Sequence, residues 1–236
     1  MERRNVTVLG AGLAGCEAAW QLSRRGFPVT LYEMKPQKFS PAHHSQGFAE
    51  LICSNSFKAS RIDSAAGLLK EEMRRLGSLL VACARQSAVP AGGALAVDRE
   101  AFSQLVTQAI EGDPRITVVR EEVTDLPDGP VIVATGPLTS EPLSQKLQAL
   151  CGDSLSFFDA AAPIVTRESL DMDHCFAASR YGRGDQEGEE GDYLNCPLNK
   201  EEYEAFVTEL VGAQRAPVHS FDVRDPQVYE GCMPIE

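Results

Sequence analysis

Residues 5–33, NVTVLGAGLAGCEAAWQLSRRGFPVTLYE, decide the fold. NVTVLG has the β-branched content of a short strand, GAGLAG is a glycine turn, and CEAAWQLSRRG has the spacing of an amphipathic helix that ends at Gly26. PVTLYE is a second strand, so the stretch reads as a βαβ unit. Gly10, Gly12 and Gly15 stand at GxGxxG spacing. In a dinucleotide-binding turn the first glycine permits the tight bend and the second lets the backbone approach a pyrophosphate. The third lets helix and strand pack closely. Glu33 closes the second strand, where a carboxylate can accept hydrogen bonds from an adenosine ribose. A lone GxGxxG is weak evidence. The same glycines between a strand and a helix, followed by a strand ending in Glu, predict a dinucleotide site over Gly10, Ala11, Gly12, Leu13, Ala14, Gly15 and Glu33. The motif alone does not choose FAD over NAD.

With 236 residues and 43% hydrophobic content, the chain is long enough to bury a sizeable core as one large domain or two small ones. No apolar run approaches the ~20 residues that cross a bilayer. The N-terminus enters a strand without a signal-peptide layout, so a cytoplasmic address and no membrane partner are expected. The net charge of −12 argues against general nucleic-acid affinity, yet the charge is uneven. Residues 34–99 hold nine basic against five acidic groups, and residues 100–236 hold nine against 26. Only the former segment offers an anionic polymer a cationic surface, and a solvated helix with ordinary Lys and Arg is the simpler explanation. The seven cysteines are widely spaced and lack a CxxC pair. Neither a disulfide framework nor a metal site is expected.

Further along, residues 34–63 carry Pro36, Pro41, His43, His44 and Gly47 and read as a long excursion with one helical turn at FAELI (48–52). Residues 64–85 place Leu68, Leu69, Met73, Leu76, Leu79 and Leu80 near helical spacing and predict one long helix. VPAGGALAV (89–97) reads as a strand or hairpin, with Asp98 starting a helix after it. ITVVRE (116–121) and PVIVATG (130–136) are strands. The second ends in Thr135 and Gly136, where the chain either runs close to a bound dinucleotide or simply turns. RGDQEGEEGD (183–192) is an acidic loop, followed by a helix with Asn199 as N-cap and Glu202 in the capping-box position. The expected division is a Rossmann-like dinucleotide-binding domain over 1–162 and all or part of an insertion domain over 163–236.

Several blocks together resemble one family, the FAD- and folate-dependent tRNA (uracil-5-)-methyltransferases. They are VTVLGAGLAGCEAAWQL, VTLYEMKP, SPAHHSQGFAELICSNSF, VIVATGPLTS, FFDAAAPIV, DYLNCPLNKEEYEAF and YEGCMPIE. The resemblance implies an α/β fold: a Rossmann-like FAD-binding domain of glutathione-reductase type with an inserted α/β domain. Members of that family are much longer than 236 residues, so the insertion is expected to be incomplete and the returning part of the FAD domain absent. The implied activity is C5 methylation of a uridine in the TΨC loop of tRNA. FAD is the cofactor, 5,10-methylenetetrahydrofolate the carbon donor, and NADPH or NADH the reductant. The family's two functional cysteines fall on Cys53 and Cys232. A thiolate adding to uracil C6 makes C5 nucleophilic. That role goes to Cys232, and Cys53 is its partner near the flavin, protecting the reactive group or acting as the C5 base. Cys16 is read as helix packing, and Cys83, Cys151, Cys175 and Cys196 have no motif to make them reactive. His43 and His44 bind folate or phosphate, or cap the loop, and Arg61, Lys70, Arg74 and Arg75 are candidates for tRNA phosphates. Two alternatives remain: a GidA/MnmG-like wobble-uridine modifier and a non-catalytic nucleotide-binding fragment.

Overall fold

Val6, Thr7, Val8 and Leu9 form strand β1 (Val6–Leu9), and all four are buried because β1 lies inside its sheet with neighbours on both edges. The computed structural model describes residues 4–52, 54–152, 165–178 and 193–214. Helix α1 (Leu13–Arg24) follows β1 and buries Gly15, Cys16, Ala19 and Ser23, one stripe at helical spacing. It stops at Arg25 and Gly26, the latter at φ 81°, a conformation glycine adopts without a Cβ penalty. Strand β2 (Val29–Tyr32) then lies parallel to β1, with Val29 paired to Val6.

After β2 come β3 (Ser56–Ala59), α2 (Ala65–Arg75), α3 (Leu79–Gln86), β4 (Ala88–Val89), β5 (Ala94–Val97) and α4 (Arg99–Glu111). Strand β6 (Ile116–Val119) returns to the first sheet beside β2, and β7 (Val131–Val133) joins the other side of β1. The result is a four-stranded parallel sheet of order β6-β2-β1-β7 and a three-stranded antiparallel sheet of order β3-β5-β4. A parallel sheet needs crossovers that cover its faces. Here α1 and α4 pack against the sheet and against each other, with Phe102, Val106 and Ile110 of α4 fully buried in the same core as Val8, Val29 and Leu31. Farther on are α5 (Glu141–Cys151), the antiparallel pair β8 (Phe176–Ala178) and β9 (Tyr193–Asn195), and α6 (Lys200–Gly212).

The βαβ unit, the hairpin over 89–97, the strands at 116 and 131 and the helix after Asp98 stand where the sequence puts them. Asp98 caps Ala101 N, and Asn199 and Glu202 close the expected capping box. Three expectations are corrected. The single helix over 64–85 is two, α2 and α3, broken at Gly77 with φ 77°. Ser78 restarts the helix by accepting from Val81 N, and Glu17 of α1 accepts from Ser78 Oγ at 2.8 Å and Leu80 N at 3.1 Å. FAELI is not helical, since Phe48 N donates to Thr107 Oγ1 and Ala49 N to Ala11 O, bonds to other elements in place of a helical ladder. Residues 56–59, expected to be irregular, form β3. Helix α5 is an element that the sequence pattern did not suggest. The expected boundary at 162/163 lies outside the described residues.

Phe102 is 0% exposed and packs against the Phe57 ring at 5.3 Å between centroids. Phe102→Ala is expected to lower stability by about 3–5 kcal/mol, read as a fall in the urea midpoint, because the core around α4 refills the cavity only in part.

Candidate dinucleotide site

At the β1–α1 turn each glycine meets a different demand. Gly10 has φ 92°, and a Cβ there would lie 2.8 Å from Ala134 O and 2.9 Å from Thr135 Cα. The turn after β7 therefore passes directly over it. A Cβ on Gly15 would sit 1.8 Å from Gly10 O, so helix and turn touch backbone to backbone. Gly12 is the opposite case: a Cβ there would meet nothing within 4 Å and would face open space. Gly12 is also the N-cap of α1, which has neither a side-chain cap nor an acidic residue in its first turn. The first-turn N–H groups and the positive end of the helix are left for an anion.

The turn forms one wall of a cleft of about 300 Å³. Gly10, Ala11, Gly12, Leu13, Ala14, Glu33, Thr135 and Gly136 all line it. Gly15 stands behind the wall in its packing position. Thr135 and Gly136, for which two readings were open, line the cleft beside the glycine turn, with Thr135 packed against Gly10. Thr135 Oγ1 is 2.6 Å from Thr139 Oγ1, which donates to Gly136 O at 2.9 Å and shapes that turn.

Glu33 is buried, and its carboxylate accepts from Ala11 N at 2.9 Å and Lys35 N at 3.0 Å. A carboxylate offers about four acceptor positions. The bond from Ala11 ties the end of β2 to the glycine turn and the bond from Lys35 fixes the chain after it, and the carboxylate has further acceptor capacity for hydroxyl groups of a ligand.

The cleft is also lined by residues that spacing did not single out: Lys35, Glu50, Ile52, Glu121, Glu122 and Ser140. Lys35 is 4% exposed, and its Nζ donates to Gly47 O at 2.7 Å and Glu50 Oε2 at 3.1 Å. Glu50 Oε1 accepts from His44 N at 2.8 Å and Ser45 N at 2.9 Å. Arg120 donates to Lys35 O and Gln46 O and covers the Phe48 ring at 4.1 Å. These contacts hold residues 35–50 as a defined wall. His43, half-buried at the cleft, has Nδ1 2.5 Å from Ser40 Oγ. Burial, and then the Lys35 charge, push its pKa below the usual histidine value and favour neutral imidazole. His44 uses its backbone to cap Glu50.

Cys16 is buried with Sγ 3.2 Å from Ala11 O, and burial pushes its thiol far up, as befits packing. The four cationic candidates all have intramolecular partners. Arg61 pairs with Asp63, Arg74 and Arg75 with Glu71, and Lys70 donates to Phe57 O and Ala66 O. Cys53 and Cys232 lie outside the described residues.

Comparison with known proteins bears on the family and the fold. The family model described as glucose inhibited division protein A matches residues 5–236. The chain belongs to the GidA family. It is similar to methylenetetrahydrofolate–tRNA-(uracil-5-)-methyltransferases TrmFO. The Geobacter sulfurreducens protein is 57% identical over 98% of this chain and 52% of its own length. The Acetivibrio thermocellus protein is 58% identical over 98% of this chain and 52% of its own. The chain thus spans about half the length of the curated relatives it matches. Among solved structures, GidA of Aquifex aeolicus aligns with TM-score 0.50 and 16% identity over 63% of this chain and 31% of that one. The family's Rossmann-like fold is therefore the fold of this chain.

Burial opposes ionisation of Glu50, but the His44 and Ser45 N–H groups and Lys35 outweigh it and hold the carboxyl below its usual value of 4.5. A depressed folded pKa contributes stability that is present above the unfolded value and lost as pH falls through the folded one. Glu50→Gln is expected to destabilise the protein at neutral pH. The gap to wild type should shrink below pH 4.5 in urea unfolding at stepped pH.

Proposed function

We propose that this chain carries the FAD-binding part of a tRNA (uracil-5-)-methyltransferase that takes its carbon from 5,10-methylenetetrahydrofolate and its electrons from NADPH or NADH. The observation that carries the reading is the open backbone at Gly12, where an uncapped helix N-terminus faces a cleft edged by the Glu33 carboxylate. Such a cradle suits a pyrophosphate with an attached ribose. The activity for which the relatives are named supports the rest.

In this reading the N–H groups at Gly12, Leu13 and Ala14 hold the pyrophosphate, and Glu33 takes the adenosine ribose. Thr135 and Gly136 close over the dinucleotide, whose flavin supplies hydride chemistry when bound. Lys35 and Glu50 position the loop leading to Cys53. Cys232 is the thiolate for uracil C6, and Cys53 acts beside the flavin as its guard or as the C5 base. The uridine is that of the tRNA TΨC loop. The FAD part spans 1–162 and the insertion 163–236. Among the described residues no helix is long and apolar enough to cross a membrane, and the proposed site of action is the cytoplasm.

A second reading, a GidA-like enzyme placing a larger group on the wobble uridine, is favoured by the match to the glucose inhibited division protein A family. Mass analysis of the modified tRNA separates a methyl from a carboxymethylaminomethyl group.

The deciding measurement is a visible absorption spectrum after FAD is added and the excess removed. A retained flavin spectrum is expected, and a colourless folded protein would refute FAD binding by this chain. Gly12→Val should lose the flavin while the apoprotein keeps its urea midpoint, because the new side chain enters the ligand's space and no protein atom. Gly10→Val should lose both, since it clashes with Ala134 and Thr135. In a methyl-transfer assay, Cys232→Ala is expected to retain flavin and abolish turnover; normal turnover would remove the residue from the nucleophile role.

A further inference from the structure

Strands β8 and β9 pair antiparallel, with Phe176 opposite Asn195 and Ala178 opposite Tyr193. Extending this register by one position sets Cys175 opposite Cys196, and their Sγ atoms lie 3.2 Å apart. The sequence offers no reason to join them, because 21 residues separate the two and neither belongs to a CxxC pair. Directly opposed residues of an antiparallel pair hold their Cβ atoms about 4.5–5.5 Å apart. A disulfide spans about 3.5–4.5 Å between Cβ atoms, so closure asks only for local adjustment. Cys196 is exposed and Cys175 partly so, whereas Cys16 and Cys83 are buried. Among the described residues no group of three His, Cys, Asp or Glu side chains could hold a metal ion.

We propose that Cys175 and Cys196 form a reversible dithiol–disulfide site whose oxidant is a low-molecular-weight disulfide. Cys196, the more exposed thiol, loses its proton and attacks one sulfur of the small disulfide. A bond forms between the two sulfurs, the small S–S bond breaks, and the departing thiolate takes up a proton. Cys175 then attacks Cys196 Sγ, expelling the second small thiolate, which is protonated in turn. Two protein thiols are oxidised to one disulfide, and one small disulfide is reduced to two thiols. The hydrogen bond between the sulfurs holds the Cys175 thiol above its usual pKa, in keeping with its role as the second, resolving sulfur. In a reducing compartment, protein disulfides of this kind act as sensors more often than as staples. The bond would tie β8 to β9 beside Tyr193, whose hydroxyl donates to Ala91 O at 2.9 Å. Oxidation therefore stiffens the strand pair at the point where it reaches the β4–β5 hairpin.

The test is incubation of the purified chain with glutathione disulfide, alkylation of remaining thiols, digestion and mass analysis. The expected product is a peptide pair joined through Cys175 and Cys196, lighter by two hydrogens than the reduced pair and separated again by dithiothreitol. Cys175→Ser should trap glutathione on Cys196 as a lasting mixed disulfide, while Cys196→Ser should leave Cys175 largely alkylated. The proposal is overturned if both thiols of the wild-type chain are alkylated to the same extent before and after treatment. Separate glutathione adducts without a cross-link would overturn it equally, as would cross-links from either residue chiefly to Cys53, Cys151 or Cys232.

Discussion

Backbone contact at Gly10 and Gly15 is the constraint on which the rest depends. With Gly15 against Gly10 O and Gly10 under Ala134 and Thr135, the first strand, the first helix and the turn after β7 meet without side chains between them. Steric exclusion of even a methyl group sets the spacing of sheet and helix there. It also brings the N-terminus of α1 to the edge of the sheet, where uncapped N–H groups and a helix dipole converge on one cleft. A Cβ at Gly12, unlike one at Gly10 or Gly15, would meet no protein atom, so that position borders open space.

Another part of the cleft is built from charge in place of glycine. Lys35 is buried, and a buried ammonium persists only when paired and hydrogen-bonded. It finds Glu50 and the Gly47 carbonyl. Glu50 in turn satisfies the backbone of His44 and Ser45, and Arg120 ties the carbonyls of Lys35 and Gln46 together over the Phe48 ring. A segment without secondary structure thereby acquires a definite shape. Arg74 and Arg75 of α2, by contrast, are occupied with Glu71 at the surface, where ion pairs contribute little and exchange readily.

The alternation of Val29 and Leu31, the stripe of Gly15, Cys16, Ala19 and Ser23, and the capping pair Asn199 and Glu202 were legible because each expresses a short-range rule of strand, helix or cap. The break at Gly77 was hidden by Leu76, Leu79 and Leu80, whose spacing continues across it. What breaks the helix is a glycine at positive φ together with Glu17, a residue 61 positions earlier in the chain than the Ser78 it holds. Phe48 likewise resembles the start of a helical turn until its amide and carbonyl are seen to bond Thr107 and Ser103.

The sequence by itself therefore determined the βαβ unit, the glycine turn, the acidic strand end and the family resemblance, since these rest on neighbours within a few residues or on short contiguous motifs. Tertiary structure alone decided that Thr135 and Gly136 lie beside that turn, that Lys35 and Glu50 line the same cleft, and that Cys175 meets Cys196. Each of those meetings joins residues distant in sequence or carried on separate strands and turns. No local periodicity encodes them, because their energy comes from burial and pairing that exist only once the chain has folded.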